Sequence, residues 1–393
     1  MKKSLIVVLF LLFTQSIALG IDFSDLIDKN STVIIKKPNG ENLISINGNK
    51  VFIPASTLKI LTALASIENL GSDYRFKTQF LLSRYNDLII RGYGDPILVS
   101  EVISSVSKKL YNILKPIKIR NIILDGTFFE TGITIPGVTD NSSQPYDAPN
   151  GAICSNFNTV FFKRLKDGNY VSAENQTPLL NFVNDRIQKS GLDSGRVKLN
   201  SEESSLYTGF LFKYFLKKNG AFVSGIVKNG SLFKKKDLRL VYSYRSVYSL
   251  EDVVKKLMLF SNNFIANQIF ITLGAEKKGA PGNLLKGSLV VSEYLKKNGK
   301  VNVTFLEGSG ISRSNRISGN NLIKILSMFK KHYRLLKNEG TDYFKTGTMK
   351  DISSRAGFII KDEKLYSYII IVNGRDAFQR LTKIHKGIKK IIK

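Results

Sequence analysis

Ser56 and Lys59 are the residues whose types and spacing most directly suggest chemistry. They stand three positions apart in Ser56-Thr57-Leu58-Lys59, where apolar residues at helical spacing begin. Residues three apart on a helix share a face, so a deprotonated lysine amine could take the proton of the serine hydroxyl. The pair therefore predicts a nucleophilic serine with a lysine base. The structural alternative for this serine is an ordinary N-cap residue.

The surroundings of Ser56 distinguish it from other serines with the same S-x-x-K spacing. Ser105, Ser231 and Ser327 also precede a lysine by three positions, as chance allows in a chain rich in serine and lysine. Only Ser56 follows a proline at a predicted strand-to-helix junction, with an apolar helix behind it. That position would expose a nucleophile on a rigid support.

Two further motifs follow in the chain. Ser261-Asn262-Asn263 interrupts an apolar helical pattern with three polar residues that must find partners. Lys345-Thr346-Gly347-Thr348 stands just before two predicted strands, where a glycine permits close backbone approach. The order S-x-x-K, S-x-N and K-T-G is the one found in penicillin-binding proteins and class A β-lactamases. Each motif is weak alone, whereas the ordered set is strong.

The elements that must position these motifs follow from hydrophobic periodicity and turn residues. The predicted helices cover residues 56–70, 100–113, 178–190, 206–218, 250–273 and 377–392. The predicted strands include residues 32–35 paired as a hairpin with 51–53, then 88–91, 119–124, 354–361 and 366–372. The last strands need a partner, and the first hairpin is the natural one. The sequence thus predicts one antiparallel sheet containing both chain ends, with residues 79–245 as an insertion.

Similarity to a known family extends well beyond the three motifs. It is carried by PASTLKILTALASIENLG, GYGDP, DGTFF, YDAPNGAICSNFN, LYTGFLFKYFLKKNGAFVSGIVKNG and EGSGISRSNRIS, and it runs from about Val33 to Gly374. The chain resembles the low-molecular-mass penicillin-binding proteins of the D-alanyl-D-alanine carboxypeptidase/endopeptidase type. The resemblance implies an α+β fold: a β-lactamase/transpeptidase-like domain, in which an antiparallel sheet has helices on both faces, and an inserted α/β accessory region. We predict the catalytic domain at 21–75 and 246–393 and the insertion at 76–245.

The resemblance also implies roles for the four catalytic residues. It makes Ser56 the acylated nucleophile, Lys59 its base, and Ser261 the group that protonates the leaving D-alanine nitrogen. Lys345 would hold the substrate's terminal carboxylate. A lysine ammonium with a pKa of about 10.4 is a poor base at neutral pH, so we expect burial and the charge of Lys345 to lower the pKa of Lys59.

Further residues are implied to bind the substrate. They are Asn263, Thr346, Gly347, Thr348, Asp125 and Arg313. Asn263 would bind the substrate amide, Thr346 the carboxylate, and the backbone N–H groups of Ser56 and Thr348 the oxyanion. Asp125 and Arg313 match positions that contact the diamino acid of the stem peptide, although Arg313 could equally be a structural ion-pair partner.

Three departures from the family pattern concern substrate preference more than acylation. Glu307 replaces the usual aspartate of a D-G-S-G element, a change expected to keep the charge and shift its reach. The segment between Leu336 and Lys345 is short, and the insertion is shorter than in the larger family members. The wall beside the cleft and one accessory domain are therefore predicted to be reduced.

Composition and the N-terminus predict an exported, basic protein. The 393 residues include 59 Lys+Arg and 31 Asp+Glu, a formal net charge of +28. Residues 1–20 have the pattern of a signal peptide, with a buried N-terminal helix as the alternative: Lys2 and Lys3 precede an apolar run and then small residues. Export predicts a periplasmic enzyme. The charge favours anionic partners, including wall polymers and peripheral association with anionic membrane, and export argues against nucleic acid.

Other enzyme classes have less support. A β-lactamase needs a base that activates water, and no E-x-x-L-N element follows Ser261. Cys154 is the single cysteine of the sequence, which excludes an intrachain disulfide. With two histidines, His332 and His385, and one cysteine, the sequence supports neither a Ser-His-Asp triad nor a zinc site. No cofactor is expected. The alternatives retained are a β-lactamase-like hydrolase and a catalytically degenerate wall-binding protein, and peptidoglycan peptides and inhibitory β-lactams are the expected ligands. Carboxypeptidase or endopeptidase preference and the oligomeric state remain open.

Overall fold

The computed structural model describes residue 23 and residues 25–139, 144–231, 237–299 and 301–392, so the predicted signal peptide lies outside the described residues. The strands are β1 Ser31–Lys36, β2 Asn42–Ile46, β3 Val51–Phe52, β4 Lys77–Ser83, β5 Leu88–Gly92, β6 Ile122–Asp125, β7 Thr159–Arg164, β8 Tyr170–Ser172, β9 Ser194–Lys198, β10 Val227–Asn229, β11 Leu238–Arg245, β12 Val303–Thr304, β13 Arg316–Ser318, β14 Lys337–Glu339, β15 Asp342–Met349, β16 Ile352–Lys361 and β17 Lys364–Asn373. The α-helices are α1 Lys59–Leu70, α2 Ser100–Leu114, α3 Asn184–Ser190, α4 Ser201–Lys218, α5 Leu250–Phe260, α6 Asn263–Lys278, α7 Leu284–Asn298, α8 Gly319–Met328 and α9 Ala377–Ile392.

Contacts divide the chain into two compact units. Of the described residues, those up to 64, those in 258–261 and those from 293 onward form the first unit, and those in 65–257 and 262–292 form the second. The predicted boundaries of the catalytic domain and its insertion remain predictions. Within the described residues, no helix is both long and apolar enough to cross a membrane.

A six-stranded antiparallel sheet forms the centre of the first unit. Its strand order is β14-β15-β16-β17-β1-β2. Strand β1 pairs with β17 along its whole length, which confirms the predicted pairing between the two ends of the chain. Successive residues of β1 point to opposite faces of the sheet. Val33 and Ile35 share a buried core with α9, while Ile34 lies against Gly319 at the start of α8, so helices cover both faces.

The predicted partner strand of the first hairpin was wrong. Strand β1 pairs with β2, and β3, which contains two of the three residues predicted to pair with β1, pairs instead with β13. The turn closes at Gly40, whose φ is +92° and whose N–H donates to the Lys37 carbonyl. Closing this short loop costs less chain entropy than closing one that reaches β3.

The predicted helix over 250–273 is two helices. Ser261 has a φ of +54° and ends the first helix, and the Asn262 side chain caps α6 by accepting from the Ile265 N–H at 3.0 Å. Gly274 does not terminate α6, which continues to Lys278. A Cβ at Gly274 would lie 2.5 Å from the Gly287 nitrogen, so this glycine instead permits close packing between α6 and α7.

The second unit contains a mixed five-stranded sheet of order β10-β6-β5-β4-β11 and a small sheet of order β8-β7-β9. Helices α2 and α4 contribute to an apolar core of this unit. The predicted helix over 206–218 begins earlier, at Ser201, because Asn200 and Glu203 form a capping box. The predicted helix over 178–190 is shorter, since the regular α-helix starts at Asn184.

Candidate active site

Ser56 lies in a strained turn between β3 and α1. The preceding residue, Ala55, has a φ of +48°, a conformation that residues other than glycine rarely adopt. The Pro54 carbonyl accepts hydrogen bonds from Ser354 Oγ at 2.6 Å and from Thr57 Oγ1 at 2.7 Å. The first bond ties the turn to strand β16, and the second closes the turn itself. Backbone strain held by surrounding contacts is common where a reactive side chain must be presented in one orientation.

Lys59 is placed to act as the base for Ser56. Its Nζ lies 2.8 Å from Ser56 Oγ and donates to the Ser309 carbonyl at 2.7 Å. The side chain is 0% exposed. Burial, followed by the positive charge of Lys345, holds the pKa of Lys59 well below its usual value, and Glu307 only partly opposes the shift. A neutral amine at this position can accept the serine proton near neutral pH.

A second lysine–serine pair is formed by Lys345 and Ser261. Lys345 Nζ lies 2.7 Å from Ser261 Oγ and donates to the Thr346 carbonyl at 2.7 Å. Burial, with a smaller contribution from the charge of Lys337, lowers the pKa of Lys345 to about 8. The left-handed conformation of Ser261 carries its hydroxyl to this lysine at the break between α5 and α6. Below about pH 8, Lys345 carries positive charge and can supply a proton to the Ser261 hydroxyl.

The loop from Glu307 to Asn315 supports Lys59 from the other side. The fully buried Glu307 carboxylate accepts from the Ser309 and Gly310 N–H groups at 2.6 and 2.8 Å, and from Asn315 Nδ2 at 2.8 Å. The loop presents the Ser309 carbonyl to Lys59. Glu307 thus holds the loop in place through the hydrogen bonds that its carboxylate accepts from the loop's own residues.

Two glycines bring backbone segments against the serine turn. A Cβ at Gly310, whose φ is +82°, would lie 2.1 Å from the Ala55 carbonyl oxygen, and a Cβ at Gly347 would lie 2.6 Å from the Ser56 nitrogen. Strand β15 therefore passes directly beside the serine. Within the first unit as described, β14 pairs only with Asp342–Phe344, so the following part of β15 lies at the edge of the sheet. An extended peptide could add to such an edge.

Comparison with known proteins places the chain in a family. Residues 15–195 and 183–339 match the family described as the D-Ala-D-Ala carboxypeptidase 3 (S13) family. The chain belongs to this family. The matched segments contain Ser56, Lys59 and Ser261, and Lys345 lies beyond them. Membership confirms the predicted penicillin-binding protein family and the predicted enzyme class, a serine-type D-Ala-D-Ala carboxypeptidase.

Individual relatives are distant but extend over most of the chain. A D-alanyl-D-alanine carboxypeptidase from Actinomadura sp. (strain R39) is 23% identical and covers 88% of this chain and 78% of its own. The D-alanyl-D-alanine carboxypeptidase DacB of Haemophilus influenzae is also 23% identical, over 90% of this chain and 88% of its own.

Solved structures support the fold. Penicillin binding protein 4 from Haemophilus influenzae superposes with a TM-score of 0.71 at 20% identity, covering 90% of this chain and 93% of that chain. A predatory peptidoglycan endopeptidase from Bdellovibrio bacteriovorus gives a TM-score of 0.56 at 16% identity, covering 92% of each chain. These likenesses confirm the predicted α+β fold class.

The structure places the four predicted catalytic residues close together. The roles of the predicted substrate-binding residues stay predictions. Ser56, Lys59, Ser261 and Lys345 form the two close pairs described above, while Thr346 and Thr348 are exposed on β15. Arg313 is also exposed and donates to the Lys350 carbonyl at 3.0 Å. This contact is backbone recognition and is not the ion pair considered from the sequence.

Asn263 and Asp125 belong to the second unit. Asn263 is the half-buried first residue of α6. Asp125 is buried at the end of β6, where it accepts from Arg91 Nε at 2.9 Å and from Thr127 Oγ1 at 2.6 Å. Their roles in binding substrate stay predictions.

Two supporting residues of the S13 site were not singled out from the sequence. Ser309 contributes its backbone carbonyl, and any residue type has one. Ser354 contributes a hydroxyl from β16, where it stands between Ser353 and Arg355 with no motif to distinguish it. For Ser309, the E-G-S-G element at residues 307–310 was the sequence feature that could have indicated its role.

Glu307→Gln is expected to slow acylation and lower stability. Glutamine keeps the size but removes the charge and part of the accepting capacity, so the free energy of unfolding should fall by about 3 kcal/mol. A shifted Ser309 carbonyl would misorient Lys59, and we expect acylation by a fluorescent penicillin to slow by about 10-fold or more. The matched control is Glu41→Gln, which breaks an exposed pair with Lys37 and should change neither quantity measurably. Wild-type acylation in Glu307→Gln would contradict the role of the loop.

Proposed function

We propose that Ser56 is the nucleophile of this D-Ala-D-Ala carboxypeptidase and that the reaction proceeds through an acyl-enzyme on its Oγ. The observation that carries the proposal is the 2.8 Å contact between Ser56 Oγ and a buried amine with a lowered pKa. Lys59 takes the hydroxyl proton as Oγ attacks the carbonyl of the penultimate D-alanine. The backbone N–H groups of Ser56 and Thr348 are proposed to bind the oxyanion that forms, an interaction worth about 3 kcal/mol for each donor.

The leaving D-alanine needs a proton on its nitrogen, and we assign this transfer to Ser261. Its hydroxyl lies 2.7 Å from Lys345 Nζ, which can replace the proton that Ser261 gives up. The C–N bond then breaks, D-alanine leaves, and the remaining acyl group stays esterified to Ser56. The proton that Lys59 accepted passes through solvent to Lys345, which restores a neutral Lys59 and a charged Lys345. Water then attacks the ester carbonyl with Lys59 or Ser261 as the base, and its proton returns to Ser56 Oγ as the ester C–O bond breaks, so the serine is regenerated.

Substrate binding is proposed to use the edge of β15. The stem peptide would lie along Lys345–Met349 as an added strand, with its terminal carboxylate at Lys345 and Thr346 and its amide at Asn263. Gly347 keeps this strand close to Ser56. Asp125 and Arg313 are the candidates for contact with the diamino acid. In this scheme residues 21–75 and 246–393 form the catalytic domain and residues 76–245 the insertion.

We also propose that the protein is exported and that it associates with anionic partners. The pattern of residues 1–20 and the activity on cell-wall peptides favour export to the periplasm. The net charge of +28 favours peripheral association with anionic wall polymers or membrane lipids. Such association should weaken as salt screens the charges.

We expect β-lactams to acylate Ser56 and to remain attached. One Bdellovibrio bacteriovorus endopeptidase of this fold is acylated by penicillin G, and the Haemophilus influenzae protein forms a complex with a β-lactam. The leaving group of a β-lactam stays tethered and can block water, whereas D-alanine departs. The penicilloyl-enzyme should therefore persist for minutes while peptides ending in D-Ala-D-Ala turn over.

Intact-protein mass spectrometry during incubation with penicillin measures this persistence, and release of D-alanine from a synthetic pentapeptide measures turnover. An adduct that vanishes within seconds, with many molecules of drug hydrolysed, would instead support a β-lactamase. Absence of both adduct and D-alanine release would support the degenerate wall-binding alternative.

A further inference from the structure

A buried polar cluster lies at the start of the strand that carries Lys345. We call Asp342, Arg355, Tyr368 and His385 the Asp342 cluster. The Asp342 carboxylate accepts from Arg355 Nη2 at 2.8 Å and from the Tyr368 hydroxyl at 2.8 Å, and His385 Nε2 lies 2.9 Å from it. Arg355 Nε also donates to the Tyr368 oxygen at 2.8 Å. The four groups form one closed network.

Burying this network in the core carries a large desolvation cost. Asp342 is 0% exposed and Arg355 only 9% exposed, and burying charges costs several kcal/mol unless their hydrogen bonds are well formed. Burial raises the pKa of Asp342, but the bond with His385 and the charge of Arg355 outweigh it and leave the pKa below its usual value. Buried ion pairs are weak evidence for stability, whereas they can fix geometry. The geometry that this cluster fixes is that of β15.

Arg355 holds β15 on both sides of Lys345. Its guanidinium carbon lies 3.4 Å from the centre of the Phe344 ring, the residue immediately before Lys345. Its backbone is paired in register with Thr346, the residue immediately after. Asp342, the residue that opens β15, orients this guanidinium. The position of Lys345 along and across the sheet therefore depends on the cluster.

His385 brings the C-terminal helix into the same network. It lies on α9, whose apolar residues Leu381, Ile384 and Ile388 pack into the core beneath the sheet. Lys389, one turn later, approaches Asp342 only to 4.0 Å and is 42% exposed. His385, at 12% exposure, is thus the principal polar link from α9 to β15.

The cluster does not face the serine. Asp342 and Lys345 are three residues apart on one strand, so their side chains point to opposite faces of the sheet. His385 and Asp342 therefore do not form a catalytic triad with Ser56. Any effect on catalysis must pass through the backbone of β15.

We propose that the Asp342 cluster is a positioning device for Lys345, with Arg355 and His385 as positioning residues that set its distance from Ser261. The proposal rests on the proposed function, because it assumes that Lys345 takes part in acylation. A structural role alone would make the cluster matter for melting and leave the reactivity of folded protein unchanged.

His385→Ala tests the proposal, with His385→Gln as the conservative variant. The glutamine amide can place a nitrogen near the site of Nε2. The second-order rate constant for acylation by a fluorescent penicillin is measured on full-length protein, well below the melting temperature of each variant. We expect His385→Ala to lower it about 10-fold and His385→Gln to restore it to within about 3-fold of wild type. Phe378→Ala, which changes a 62% exposed side chain on the same helix, should leave it unchanged.

The possible results distinguish failure of the proposed function from failure of the positioning role alone. Wild-type protein that penicillin does not acylate would overturn the proposed function and this inference with it. Acylated wild type with an unchanged rate in His385→Ala would overturn only the positioning role. Should His385→Ala fail to fold, Tyr368→Phe keeps the ring and removes one hydroxyl. A rate about 3-fold or more below wild type would support the proposal, and an unchanged rate would overturn it.

Discussion

Replacing Ser56 by alanine should abolish covalent penicillin binding and reduce peptidase activity by about 10⁶-fold, the size of loss seen when a catalytic serine is removed from a hydrolase. The change removes the hydroxyl that is held 2.8 Å from the low-pKa amine of Lys59. The fold should survive, because Ser56 is half-buried and the turn is held by the Pro54 carbonyl.

Gel labelling with a fluorescent penicillin beside a thermal melt measures both effects. The matched control is Ser105→Ala, which changes a serine with the same S-x-x-K spacing on the exposed side of α2. Labelling should be lost in the first variant and retained in the second, with similar melting temperatures. Labelling that persists in Ser56→Ala would place the nucleophile elsewhere.

The parts of the site that the sequence predicted are local. Ser56 and Lys59 are three residues apart, so a single helical turn places them together. The turn at Ser56 is a 3₁₀ turn over Ala55–Leu58, and the α-helix predicted to start at residue 56 starts at Lys59. The C-terminal strands and β1 were paired correctly because continuous apolar runs buried on both faces need strand partners. The predicted end of the first helix at residue 70 was also correct, and the Gly71 N–H that follows it donates to the Ile67 carbonyl.

The parts that the sequence did not predict depend on contacts between distant residues. The Ser309 carbonyl meets Lys59 across 250 positions, and the Asp342 cluster joins three strands to α9. Ser261 was expected within one helix, because its left-handed conformation is imposed by tertiary contacts that helix propensity does not contain. Family resemblance supplied its role, whereas the structure supplied its geometry.

Lys59→Met should be the next most damaging change. Methionine matches the length of the buried side chain and avoids a large cavity, while it removes the amine that is proposed to take the serine proton. Loss of a general base costs about 10² to 10⁴ in rate. With the amine removed, a higher pH creates no proton acceptor at the position of Lys59, so raising the pH should not restore acylation. Recovery of wild-type rates at alkaline pH would show that another base serves.

Lys345→Arg should fail differently from Lys59→Met, and pH dependence separates them. In the wild type, acylation should rise as Lys59 loses its proton through its lowered pKa, then fall above about pH 8 as Lys345 loses its charge. Arginine stays protonated in this range, so Lys345→Arg should keep part of the activity and lose the alkaline decline. The measurement is the second-order acylation rate constant from pH 5 to 10. Equal loss in both variants, or an alkaline decline that persists in Lys345→Arg, would contradict the separate roles, since Lys345 is proposed to bind the carboxylate through a charge that disappears near pH 8.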